Sequence, residues 1–221
     1  MRVHSVGRIL WSAVAMVLLA AVFASPAAAT ESETAFCQVA PTKGAFCPKG
    51  KMLGSGQTFK AQVKSGTNLV IEGWWETQCP QAYFEGHTTT KSGEPLTGEI
   101  TKMNFGACNT SCTRVFEHLP YKAEFNHTVN GNGTVTVSNG GNGAPAWRET
   151  CNFGNPGNCY WQASSVSLTF AGGSPATLTE PKQAFKLVPG ESWGWCPSQV
   201  EKSATYSFST PSSLFLTAPE S

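Results

Sequence analysis

The 221-residue chain reads as an all-β protein, most simply an antiparallel two-sheet β-sandwich stabilised by disulfides, with a closed β-barrel as the alternative. Three observations carry this. Apolar and polar residues alternate with period two in many short runs, as strands with one wet face require. Gly, Pro, Asn and Ser cluster between those runs, where turns need them. Eight cysteines, an even number, all lie beyond an N-terminal export signal, the pattern of a disulfide framework. No segment after the signal sustains a helical period.

Residues 1–29 have the make-up of a secretory signal. Arg2 and Arg8 give it a positive start, residues 9–23 an almost unbroken apolar run, and Ala27, Ala28 and Ala29 the small residues that signal peptidase requires. The apolar run is shorter than the roughly 20 residues a spanning helix needs, so no membrane span is expected after cleavage. Residues 30–221 are expected to form one secreted, extracellular β-sandwich domain.

Within it, residues 30–34 are polar and expected to fray. Gly54, Ser55 and Gly56 lead into a first strand in which Phe59, Ala61 and Val63 alternate with Lys60, Gln62 and Lys64. Ser65 and Gly66 turn the chain into a more apolar strand over 69–75, expected to form a hairpin with the first. Short strands follow over 83–90, 98–105, 113–118 and 121–129. In the last, Tyr121, Ala123, Phe125, His127 and Val129 share one face. Asn130, Gly131, Asn132 and Gly133 then predict a tight hairpin into 134–137, because Asn and Gly tolerate the positive φ such turns need. A Gly/Asn loop over 139–145 precedes a long strand over 160–170, whose second half buries Val166, Leu168 and Phe170. Strands over 176–178, 184–188, 204–210 and 214–217 complete the series.

Charge excludes some functions. Losing Arg2 and Arg8 from 15 Lys plus Arg leaves 13 against 14 acidic residues, and the basic residues are scattered rather than clustered. Nucleic acid is therefore not an expected partner, since phosphate binding draws on clustered Lys and Arg. All 14 acidic residues are Glu. The absence of Asp counts against calcium loops, aspartic proteases and Ser-His-Asp hydrolases.

Proximity and turn chemistry rank the disulfides as Cys37 with Cys47, Cys151 with Cys159 and Cys108 with Cys112, leaving Cys79 to reach Cys196. Zinc is the rival reading, but only Cys108 and Cys112 have ligand spacing and no paired histidines follow, so no metal or other cofactor is expected. His87, His118 and His127 stand alone in predicted strands. No Gly-x-Ser-x-Gly elbow is present, and paired cysteines offer no thiolate, so no catalytic residue is assigned. Glu72 and Glu76 flank Trp74 and Trp75 as a glycosidase pair would, although both read more simply as solvated strand residues. The candidate binding residues are Trp74, Trp75, Trp193 and Trp195. Adjacent strand residues face opposite sides, so one of Trp74 and Trp75 is expected outside the core, where an indole can stack on a sugar ring or a partner surface. Trp193 and Trp195 share a face if their segment is extended. Sequons stand at Asn109, Asn126 and Asn132.

Gly54-Ser55-Gly56, Leu96-Thr97-Gly98-Glu99-Ile100-Thr101, residues 105–108, Leu119-Pro120-Tyr121-Lys122-Ala123, residues 131–137, Cys196-Pro197-Ser198 and Ala204-Thr205-Tyr206 occur in that order. This set, spanning most of residues 30–221, resembles uncharacterised exported proteins of high-GC soil bacteria. The resemblance implies a bacterial extracellular setting and transfers no activity. Three functional readings follow: a non-catalytic secreted module that binds or builds at the cell surface, a carbohydrate-binding module using exposed Trp, and a glycoside hydrolase with a Glu-based site. The corresponding partners are a polysaccharide or a cell-surface protein.

Overall fold

The computed structural model describes residues 33–41, 46–152 and 156–220, with Pro156 by its backbone alone. The predicted signal, Lys43 and Gly44 of the first cysteine loop, and the tip of the turn between Cys151 and Cys159 lie outside the described residues. In chain order the strands are β1 (Thr34–Cys37), β2 (Thr58–Val63), β3 (Leu69–Glu72), β4 (Glu76–Cys79), β5 (Tyr83–Thr88), β6 (Ser92–Gly93), β7 (Leu96–Asn104) and β8 (Thr113–Glu117). There follow β9 (Tyr121–His127), β10 (Gly133–Asn139), β11 (Ala146–Asn152), β12 (Pro156–Gln162), β13 (Ser165–Ala171), β14 (Thr177–Leu187), β15 (Gln199–Thr210) and β16 (Phe215–Thr217). One 3₁₀ turn, Pro189–Glu191, precedes β15.

The all-β expectation holds, and of the two architectures the closed barrel is the one formed. Strands β2, β5, β7, β9, β10, β13, β14 and β15 pair antiparallel in that order, and β15 pairs back to β2 through Tyr206 with Val63 and Phe208 with Ala61. A two-sheet sandwich would leave edges at β2 and β14; β15 joins both, so the sheet closes on itself. The period-two pattern puts Phe59, Ala61, Phe84, Ile100, Ala123, Phe125, Val135, Leu168, Phe170 and Phe208 inside. Phe59 meets the rings of Phe36, Phe84, Phe125 and Phe208 edge-on at 5.9–6.5 Å. Gly86 makes room for it, since a Cβ there would lie 2.6 Å from the Phe59 ring. About 40 Å³ stays unfilled inside, room for a water or two and not for an organic ligand.

The outer wall is polar. In register across β2, β5 and β7 stand Lys60, Glu85 and Lys102, and across β5, β7 and β9 stand His87, Glu99 and Lys122. A lipid-facing barrel carries an apolar outer band, so this wall is built for water. No helix among the described residues is long and apolar enough to cross a membrane. One mouth is capped by a small sheet of order β16-β1-β6, which buries all four residues of β1 and sends Phe36 down to Phe125 at 4.9 Å. Of residues 30–34, expected to fray, 30–32 lie outside the described residues, and Thr34 is instead a buried residue of β1.

At the other end β14 and β15 run on beyond the barrel. There β15 takes β3 and then β4 on its free side, while β14 takes β12, β11 and β8. This seven-strand run curls until the β4 edge meets the loop that leads into β8: the Asn109 N–H donates to the Gln78 carbonyl at 3.0 Å, and the Gln78 N–H donates to Asn109 Oδ1 at 3.0 Å. The result is a second ring sharing β14 and β15 with the barrel. At the junction Lys202 donates to the Glu180 carboxylate, both side chains being buried.

Four expectations change with this topology. The strands over 176–178 and 184–188 are one, β14. Residues 69–75 are not one strand: Gly73, Trp74 and Trp75 are the tip of the β3–β4 hairpin. The predicted hairpin of the first two strands is split, because β15 lies between β2 and β3. The long strand over 160–170 is two, β12 in the second ring and β13 in the barrel. The hairpin at Asn130 and Gly131 forms as predicted, both with positive φ.

All eight cysteines are paired, as Cys37–Cys47, Cys79–Cys108, Cys112–Cys151 and Cys159–Cys196. Only the first matches the ranking by chain proximity. In the β11–β12 hairpin Cys151 stands opposite Gly157, and Cys159 opposite Glu149, so the two sulfurs are offset by two residues along the ladder. Cys112, next to the pair Thr113 and Thr150, instead meets Cys151 across β8 and β11. Cys79 at the end of β4 meets Cys108 where the ring closes, which frees Cys196 for Cys159.

Candidate functional site

The β3–β4 hairpin ends in the sequence Glu72-Gly73-Trp74-Trp75-Glu76, with Glu72 and Glu76 as the last cross-strand pair. Gly73 bends the tip against Val200 and Pro197, where a Cβ would sit 3.1 and 3.6 Å from their side chains. Both indoles are then forced outward: Trp74 is 59% exposed and Trp75 is 48% exposed. Trp195 joins them from the loop before β15. Its ring lies 6.1 Å from that of Trp74 at 32°, and Trp74 lies 6.2 Å from Trp75 at 65°.

Trp195 is held by three devices. The Cys196 N–H donates to the Trp193 carbonyl at 3.1 Å, the Cys159–Cys196 disulfide anchors the loop to β12, and the ring packs over Gly157, where a Cβ would be 2.5 Å from it. That turn also separates Trp193 from Trp195. The segment is not extended, so the shared face expected for these two does not form. Trp193 stays exposed, and the ring contacts among the described residues join Trp74, Trp75 and Trp195 without it.

Beneath the three rings is the interior of the second ring. Trp161 donates from Nε1 to the Pro197 carbonyl at 3.1 Å. Deeper, Arg114 of β8 forks onto Glu149 of β11, Nε to Oε2 at 3.1 Å and Nη2 to Oε1 at 2.7 Å. The same guanidinium reaches Thr77 of β4 at 3.1 Å and Thr110 at 3.0 Å, so one buried side chain ties both edges of the ring. Burial pushes the Glu149 carboxyl above its usual range, opposed by the Arg114 charge. The space under the tryptophans amounts to about 30 Å³, so a ligand meets a surface and not a deep pocket.

No family model, curated protein or solved structure matches this chain. The site therefore rests on its own geometry.

The rim is charged. Lys182 of β14 donates to Glu72 at 2.5 Å and lies 3.9 Å from Glu201, and these carboxylates hold its ammonium pKa above the ordinary value, with the Glu72 hydrogen bond the largest cause. Glu76 accepts from the Gln78 amide at 2.5 Å. Glu72 and Glu76 thus sit side by side on the outer face of the hairpin, and the residues lining the space beneath include one carboxylate, Glu149, already forked by Arg114. This is not the pair of carboxyls across a cleft that glycoside hydrolysis uses. Cys112, Cys151 and Glu149 lie within metal-ligating distance of one another, but the two sulfurs are spent in one disulfide and offer no thiolate. The histidines are dispersed: His87 faces Glu99 at 3.9 Å on the barrel wall, His118 lies by the Tyr160 hydroxyl, and His127 contacts Thr34.

The three clustered tryptophans were legible as candidates, but Arg114, Glu149, Lys182 and Glu201 were not. Nothing in local periodicity marks them, because their roles depend on which strands become neighbours.

Proposed function

We propose that this chain is a non-catalytic secreted binding module whose ligand is a carbohydrate stacked on Trp74, Trp75 and Trp195. The observation that carries the reading is the exposure of two adjacent indoles on a hairpin tip backed by a third. Covering the exposed halves of two indoles removes on the order of 200 Å² from water, a gross gain of about 5 kcal/mol before the cost of association. A contiguous apolar surface on an otherwise polar wall marks an interaction site. Rigidity adds to this, since the disulfide and the packing on Gly157 order Trp195 in advance of binding. Export agrees with the N-terminal signal pattern and with four disulfides, which persist in oxidising compartments.

The test is intrinsic tryptophan fluorescence across a panel of soluble polysaccharides, with Trp74→Ala as the control. A saturable change that Trp74→Ala removes, while the variant keeps its thermal midpoint, supports the reading. Fluorescence that stays unchanged across the panel rejects it.

A further inference from the structure

Charge in register differs between the two parts of this molecule. On the barrel wall, cross-strand neighbours alternate in sign, as Lys60, Glu85 and Lys102 do. At the tryptophan hairpin they do not. Glu76 of β4, Glu72 of β3 and Glu201 of β15 stand directly opposite one another in three adjacent strands. Like charges so placed destabilise a sheet. Among the described residues one cation, Lys182, serves all three: it pairs with Glu72 and Glu201 and feels the charge of Glu76, which accepts its hydrogen bond from the neutral amide of Gln78. Two negative charges are left over beside Trp74 and Trp75. A chain that obeys the pairing rule on one wall and breaks it beside the aromatic surface of Trp74, Trp75 and Trp195 has the mark of a site shaped for a ligand.

Resting on the carbohydrate reading, we propose that the ligand is a cationic glycan, a polymer of amino sugars whose amines are free and protonated. The apolar faces of its rings meet the indoles, and its ammonium groups meet the row of Glu76, Glu72 and Glu201. The indole faces add to this, because the ring quadrupole attracts a cation. An anionic glycan is repelled by the same row. A second copy of this chain is disfavoured too, since docking like on like sets two such rows against each other.

The experiment compares a fully deacetylated glucosamine hexamer with its N-acetylated counterpart, a neutral glucose hexamer and polylysine, by calorimetry and tryptophan fluorescence at mildly acidic pH and low salt. The deacetylated hexamer is expected to bind about tenfold more tightly than the N-acetylated one, with an affinity that falls as salt rises. The Glu72→Gln/Glu201→Gln variant, which removes the like-charge contacts together with the two surface pairs to Lys182 and is checked by its thermal midpoint, is expected to narrow that gap to less than about twofold. Equal affinity for the acetylated, neutral and deacetylated hexamers would overturn the inference and leave the carbohydrate reading standing. No binding of any hexamer removes both. Polylysine that binds as tightly as the deacetylated hexamer, without loss in Trp74→Ala, overturns the inference in favour of charge alone.

Discussion

Inside the barrel Phe59 touches four other phenylalanines, and eight strands satisfy one another's backbone groups without an edge. Inside the second ring the apolar filling is thinner: Trp147 on Trp161 and Phe185, Phe105 stacked on Phe116, and then a guanidinium, a carboxylate and two threonines. The covalent links follow the same division. Cys79–Cys108, Cys112–Cys151 and Cys159–Cys196 all lie in the second ring, Cys37–Cys47 lies beside the cap, and the barrel wall has none. The buried apolar residues of the two rings form one continuous cluster, from Phe59 to Trp147 and Trp161, and the staples stand at the end where its filling turns polar. The three clustered tryptophans sit on the stapled ring.

The comparison can be broken at three places. The largest effect is expected at Phe59→Ala, which opens a cavity among four rings and should lower global stability by up to about 5 kcal/mol in urea unfolding. A loss below about 1 kcal/mol would mean that the barrel does not depend on its filling. Next, Cys112→Ser/Cys151→Ser removes a link across 39 residues, with an expected cost of roughly 4 kcal/mol in the chain-entropy picture. Amide hydrogen exchange should then speed up in β8, β11 and β12 while β9, β10 and β13 stay protected. Equal loss of protection in both sets would show that the rings unfold as one unit and that the division into two is wrong.

The smallest effect is expected from Arg114→Leu/Glu149→Leu. Removing one partner strands a buried charge, but replacing both with apolar groups should change stability by less than about 1 kcal/mol. Its signature lies in pH. The raised carboxyl pKa of Glu149 means that the folded state keeps its proton to higher pH than the unfolded chain. Its contribution is therefore full at low pH and is lost as pH rises from the ordinary carboxylate range through the raised value. The double variant should show a shallower fall in stability over that window, with the share from Glu180, raised in the same direction by burial, retained. An unchanged slope would assign the pH dependence elsewhere.

Much of this protein was readable in advance. Alternation located most of the strands, the Asn130 and Gly131 turn was correct in kind and position, and the even cysteine count meant full pairing. Trp74, Trp75 and Trp195 gather through β3 pairing with β15 and through Cys159–Cys196, where proximity in the chain had given Cys196 to Cys79. Trp193 fell outside because a turn, invisible to a period-two pattern, rotated it away from Trp195.

The sequence by itself determined the all-β class, most of the strands with their faces and the list of residues fit to pair or stack, since these depend on neighbours one to four positions away. It placed Val129 on one face of its strand with Tyr121 and Phe125, where the chain has already left β9 and Val129 is exposed. The tertiary structure alone decided barrel closure, three of the four disulfides, the Arg114 clamp and the acidic row at the hairpin. Each of these depends on register between strands distant in the chain, such as Tyr206 with Val63 or Glu201 with Glu72, and a period-two pattern is the same for every partner a strand could take.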